Sequence, residues 1–86
     1  MDRVPVKDLK AGEVVYENGY GTSRQTRILT TPLRVDTKFE HGWRCLAEDV
    51  HKKFELFEND DYPQYAPHIT RSAIYATIEV LPLTEV

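Results

Sequence analysis

Asp8–Thr22, DLKAGEVVYENGYGT, decides the architecture, because a turn, a strand and a glycine-rich connection fall within fifteen residues. Asp8, Lys10 and Gly12 read as a tight polar turn whose Leu9 folds under the strand that follows. Gly12 supplies positive φ just before the chain extends. Glu13-Val14-Val15-Tyr16-Glu17 is β-branched and aromatic, as a pleated, half-buried surface requires. Asn18-Gly19 then has the composition of a two-residue type I′ hairpin. Under that turn Glu17 faces Tyr20, and Glu13 faces Arg24 as an opposite-charge cross-strand pair. Gly21, Thr22 and Ser23 support a second reading, a longer loop from Asn18 to Arg24 with the next strand starting at Gln25. That form is the one more often used for binding.

Length and composition set the outer limits. A chain of 86 residues is one small domain, residues 1–86, with room for one core. Its 41% hydrophobic and 29% charged residues are those of a globular chain rather than a disordered one. The single cysteine, Cys45, leaves no internal disulfide and no cysteine-based zinc site, as in a reducing cytosol. The amino terminus lacks an apolar signal sequence, and Ala73–Leu83, broken by Thr77, Glu79 and Pro82, falls short of the roughly 20 residues of a spanning helix. A soluble cytoplasmic protein is expected. The net charge of −3 divides into +2 over residues 1–53 and −5 over residues 54–86. This is either a solvated surface of mixed sign or an acidic patch at Glu55, Glu58, Asp60 and Asp61 that meets a basic partner. A net acidic chain also counts against nonspecific nucleic-acid affinity.

Along the chain, Val4 and Val6 flank Pro5 and read as a short edge strand. Gln25–Thr31 alternates with Thr26, Ile28 and Thr30 on one face, and Pro32 breaks or bulges it before Leu33–Val35 resumes. Asp36–Gly42 is a polar turn with Phe39 as its anchor. Trp43–Val50 reads as a strand that forms a hairpin through His51, Lys52 and Lys53 with Phe54–Glu58; Phe54 and Leu56 share one face and Phe57 takes the other. Asp60 or Asp61 caps a short helical turn over Tyr62–Tyr65, with Pro63 early in it. The last strand places Ile74, Ala76, Ile78 and Val80 on its core side.

Five or six short strands, turn signals between them and at most one short helical turn point to a mainly β fold, a small antiparallel barrel. The order resembles the SH3-like β-barrel proteins: a turn carrying DLKAG, a hairpin or long loop near Asn18–Arg24, and the helical turn YPQY before the last strand. No SH3 proline-peptide motif is matched residue by residue. VVYENGYGT and YPQYAPHI also resemble short uncharacterised proteins encoded by bacteriophages and prophages, a resemblance that implies no activity.

Aromatic residues make up 10% of the chain, more than a minimal core needs. Tyr62 and Tyr65 sit beside prolines and Tyr20 in a glycine loop. They read either as interface residues, large and rigid with a polar tip, or, for Tyr62 and Tyr65, as plugs of a barrel end. Trp43 reads as core or as a surface anchor. Catalytic signatures are missing: His41 and Cys45 lie roughly 13 Å apart along a strand at about 3.3 Å per residue, His51 and His68 fall in turns, and no pair has metal-site spacing. No cofactor is called for, and Gly19-x-Gly21 lacks the setting of a phosphate loop. The function expected is a non-enzymatic protein-binding module, a phage or mobile-element accessory protein. Tyr20, Arg24, Tyr62 and Tyr65 form its contact surface, and Asp60 and Asp61 steer a basic protein partner. The alternative is a nucleic-acid-binding barrel using Arg24, Arg27 and Arg44. A homodimer through an edge strand is compatible with either.

Overall fold

β4, His41–Glu48, is the strand on which the sheet is built. Trp43, Cys45 and Ala47 alternate toward the interior, and β5, Lys53–Asn59, pairs with it from Gly42↔Asn59 to Glu48↔Lys53. The computed structural model describes residues 3–71. The opposite edge of β4 is shared: β3, Leu33–Asp36, takes one end and β2, Ser23–Ile28, the other. β2 and β3 therefore continue one another along β4, and the four residues Leu29–Pro32 lie where β4 has only Cys45 and Leu46. This is the break expected at Pro32, spanned by bonds from Leu29 N–H to the Leu46 carbonyl and from Leu46 N–H to Thr30 Oγ1. β1, Val14–Asn18, pairs with β2, and β6, His68–Thr70, pairs with β1.

Among the described residues the result is a six-stranded antiparallel sheet with two isolated 3₁₀ turns, Val6–Asp8 and Pro63–Tyr65. It is mainly β, as expected, but strand pairing among the described residues does not close it into a barrel. Among the described residues β5 and β6 are not paired with each other, and the amino-terminal segment runs between them. Val4 N–H donates to the Ile69 carbonyl on β6, while Val6 N–H donates to Glu58 Oε1 on β5, whose other oxygen lies 3.1 Å from Arg3. The expected edge strand at Val4–Val6 is thus a single bridge at Arg3 followed by a 3₁₀ turn. A side chain takes the Val6 N–H, and Pro5, which has none to offer a strand, instead accepts Asp8 N–H through its carbonyl.

Every strand but β3 contributes to one core of Val4, Val6, Leu9, Val15, Ile28, Cys45, Ala47, Leu56 and Ile69, with Trp43 and Phe54 packed on it. Truncating a residue such as Ile28 to alanine would cost about 2–5 kcal/mol. Leu9 lies under β1 and Gly12 takes φ +89°, both as the turn composition implies.

The first hairpin differs from either reading. Glu17 pairs with Arg24 and Asn18 with Ser23, leaving the four-residue loop Gly19–Thr22. The loop closes through a bond from Gly19 N–H to the Thr22 carbonyl, and positive φ falls on Gly21 rather than on Asn18 and Gly19. Arg24 accordingly meets Glu17, not Glu13. Phe39 anchors nothing: it is exposed, because Thr37 Oγ1 closes its loop by accepting the N–H groups of Phe39 and Glu40. Asp60 and Asp61 do not cap the second 3₁₀ turn, whose N-cap is Tyr62 without a side-chain bond; Asn59 Oδ1 instead accepts Asp61 N–H. The strand expected over Ile74–Val80 lies outside the described residues.

Candidate functional site

Pairing of β1 with β6 brings the first hairpin loop against the segment that leaves the second 3₁₀ turn. Asn18, at the end of β1, fixes that approach with one side-chain amide, which donates to the His68 carbonyl at 3.2 Å and to Thr70 Oγ1 at 3.1 Å. Between the two lies a cleft of about 470 Å³, walled by Glu17, Asn18, Gly19 and Tyr20 on one side and by Ala66, Pro67 and His68 on the other. Tyr20 is fully exposed at its rim. Tyr65, just before Ala66, is 79% exposed, and its ring centroid lies 6.4 Å from that of Tyr62, itself 53% exposed. All three tyrosines are on the surface, and the two of the turn do not plug the core.

Arg24 has another position. Its guanidinium lies 2.6 Å from both Glu17 and Asp49 and 4.3 Å from the centroid of Phe54, so it ties the first hairpin to the loop between β4 and β5. Asp49 is buried and accepts three groups: His51 N–H and Lys52 N–H on Oδ1, Arg24 on Oδ2. Burial pushes its carboxyl up, but those two backbone donors and the Arg24 charge outweigh it, and the carboxyl titrates below its ordinary range.

The remaining arginines also face carboxylates. Arg27 lies 3.2 Å from Glu48, Arg44 3.6 Å from Glu55, and Arg34 2.5 Å from Asp60, with the Arg34 guanidinium 5.8 Å from the Trp43 ring centroid. Of the acidic residues at 55–61, Glu55, Glu58 and Asp60 are each paired with an arginine from the basic stretch, while Asp61 is in no ion pair among the described residues. A phosphate at Arg24, Arg27 or Arg44 would have to displace a carboxylate.

Cys45 is buried, and desolvation with the Glu55 charge pushes its thiol up to about 11, so it is protonated near neutrality. His41 sits 2.9 Å from Asp36 across the β3–β4 pair. No group of three or more His, Cys, Asp or Glu among the described residues is placed to hold a metal ion, and no helix among them is long and apolar enough to cross a membrane.

Glycine and proline neighbours signal the exposed tyrosines in the sequence. They do not signal the cleft itself, because Asn18 and His68 stand fifty residues apart and only the short β6 unites them. Compared with known proteins, the chain matches no family model, no curated protein and no solved structure.

Proposed function

We propose that this chain is a small non-enzymatic protein-binding module with an SH3-like barrel, an accessory protein of a phage or other mobile element, which docks on another protein in the cytoplasm through its tyrosine-rimmed cleft. The observation that carries this reading is the Asn18 clamp. It holds the base of the Gly19–Thr22 loop against the Ala66–His68 segment before any partner arrives, so that only the loop tip with Tyr20, beside the turn that exposes Tyr62 and Tyr65, is left to order on binding. Exposed tyrosines at and beside the cleft supply rigid contact area, and Asp61, in no ion pair among the described residues, suits a basic segment. The return of β6 to β1 directly after a 3₁₀ turn, with β2 and β3 running on along β4, supports the SH3-like assignment.

The test is an affinity capture from host lysate with the wild-type chain and a Tyr62→Ala/Tyr65→Ala variant, with and without nuclease. The variant is expected to keep its melting temperature, since both rings are exposed, and to lose the captured protein. Capture that vanishes with nuclease would instead favour a nucleic-acid ligand, and capture indifferent to the tyrosines would move the docking surface elsewhere.

A further inference from the structure

The outer face of the β3–β4–β5 half of the sheet is not the polar surface that a solvated antiparallel sheet ordinarily shows. Directly opposed residues share a face, which puts Leu33, Arg44 and Phe57 in one row and Leu46 beside Glu55 in the next. Leu33 is 65% exposed and Leu46 47% exposed, and they border a depression of about 290 Å³ with Thr30, Arg44 and Glu55. Phe57, half-buried in the same row, reaches its ring toward Gly42, where a Cβ would stand 3.0 Å from Phe57 Cζ and 2.1 Å from the Glu58 carbonyl oxygen. At the Val35–Gly42 end of this face the residues are buried, and at the Leu33–Leu46 end the side chains stand exposed.

At the centre of the apolar strip stand one cation and one anion, Arg44 and Glu55, 3.6 Å apart and each about half exposed. That separation is longer than the roughly 2.7–2.9 Å of a charge-assisted hydrogen bond, so each group keeps bonding capacity. A patch of one sign would call for a partner of the other. A patch with both signs at its centre and leucines flanking them is complementary to itself, which is the requirement of a two-fold interface.

We infer that this face is a homodimer interface in which two copies pack their β3–β4–β5 outer faces about a two-fold axis, Arg44 of each meeting Glu55 of the other between Leu33 and Leu46. It lies apart from the tyrosine cleft and does not depend on it. Two exposed leucines and one ion pair per copy make a small contact, so the dimer is expected to be weak and concentration-dependent.

Sedimentation equilibrium of the full chain between about 10 µM and 1 mM tests it, with circular dichroism as the check on folding. The wild type is expected to dimerise across that range, and Leu46→Asp to remain a folded monomer throughout. Arg44→Glu and Glu55→Arg alone each set like charges across the axis and should be monomeric. Mixed in equal amounts, the two variants should associate again. Neither retains its own Arg44–Glu55 pair, so only crosswise pairing between copies can restore association. A wild type monomeric at 1 mM overturns the inference, as does a dimer indifferent to both charge reversals or a mixture that stays monomeric. Unfolding by Leu46→Asp would also overturn it, by showing that the chain's own residues cover the face.

Discussion

The loop between β1 and β2 and the loop between β4 and β5 have the same length and the same closing bond, and they differ in almost everything else. Each has four residues, Gly19–Thr22 and Asp49–Lys52, and in each the first N–H donates to the carbonyl of the fourth. In the second loop the first residue also has a carboxylate, which takes up the N–H groups of the third and fourth residues and the guanidinium of Arg24. The loop between β3 and β4 repeats the device with Thr37 Oγ1, which accepts from Phe39 and Glu40. In the first loop that position is Gly19, without a side chain, and the turn depends on the positive φ of Gly21. Two loops are locked from within by a local side-chain bond. The third is left open and carries the fully exposed Tyr20. The difference separates loops that hold the sheet together from the loop that the proposed docking would use.

Removing the lock should have the largest effect where it is buried. Asp49→Ala strips two backbone donors of their acceptor and leaves Arg24 with Glu17 alone, and should lower stability by about 2–3 kcal/mol in urea unfolding. Because the folded state holds the Asp49 carboxyl below its ordinary value, its contribution is fully present above the unfolded value of about 3.9 and fades as pH falls through the lower folded value. The gap between wild type and Asp49→Ala should therefore narrow below about pH 4. A gap constant across acid pH would mean that the carboxylate charge plays no part in the lock. Arg24→Ala should lose less, about 1–2 kcal/mol, since Asp49 keeps its two backbone donors.

How far these roles were legible beforehand follows from where the partners lie in sequence. Leu9, Val15, Ile28 and Leu56 announced themselves by turn composition and alternation, which act over a few residues. The β4–β5 hairpin was legible for the same reason. The register of the first hairpin was not, because Asn-Gly is a local I′ signal, whereas the Asn18 amide is engaged by His68 and Thr70, and Arg24 by Asp49 and Phe54. Arg24 read from the sequence as a binding residue, and the structure adds to it contacts with Glu17, Asp49 and Phe54 that no local pattern signals. The exposure of Tyr20, Tyr62 and Tyr65 followed from adjacent glycine and proline. The cleft beside Tyr20 did not, since β6 is only three residues long and its pattern is too short to register as a strand.

The same device in the exposed loop is worth less. Thr37→Ala frees the N–H groups of Phe39 and Glu40, but water can reach both, so the loss should be about 0.5–1 kcal/mol by the same unfolding measurement. A loss as large as that of Asp49→Ala would mean that burial is not what sets the two locks apart.

The smallest effect should come from adding a lock where none exists. A Cβ at Gly19 would have Thr22 Oγ1 as its nearest neighbour, at an ordinary 3.6 Å, and its φ is not positive, so a side chain fits there without strain. Gly19→Asp places a carboxylate where Asp49 has one, within reach of the third and fourth N–H groups of the loop, and it removes unfolded-state freedom as well. The gain should be about 0.4–1 kcal/mol, read as a rise of a few degrees in melting temperature for a chain this small. The variant leaves Tyr20 and the Asn18 clamp in place. If the loop is already as rigid as its counterpart, neither stability nor partner capture should change, and the contrast between the loops fails. If the loop is open because the partner shapes it, stability should rise while partner capture weakens, since a conformation set in advance by the new carboxylate is no longer free to follow the partner's surface.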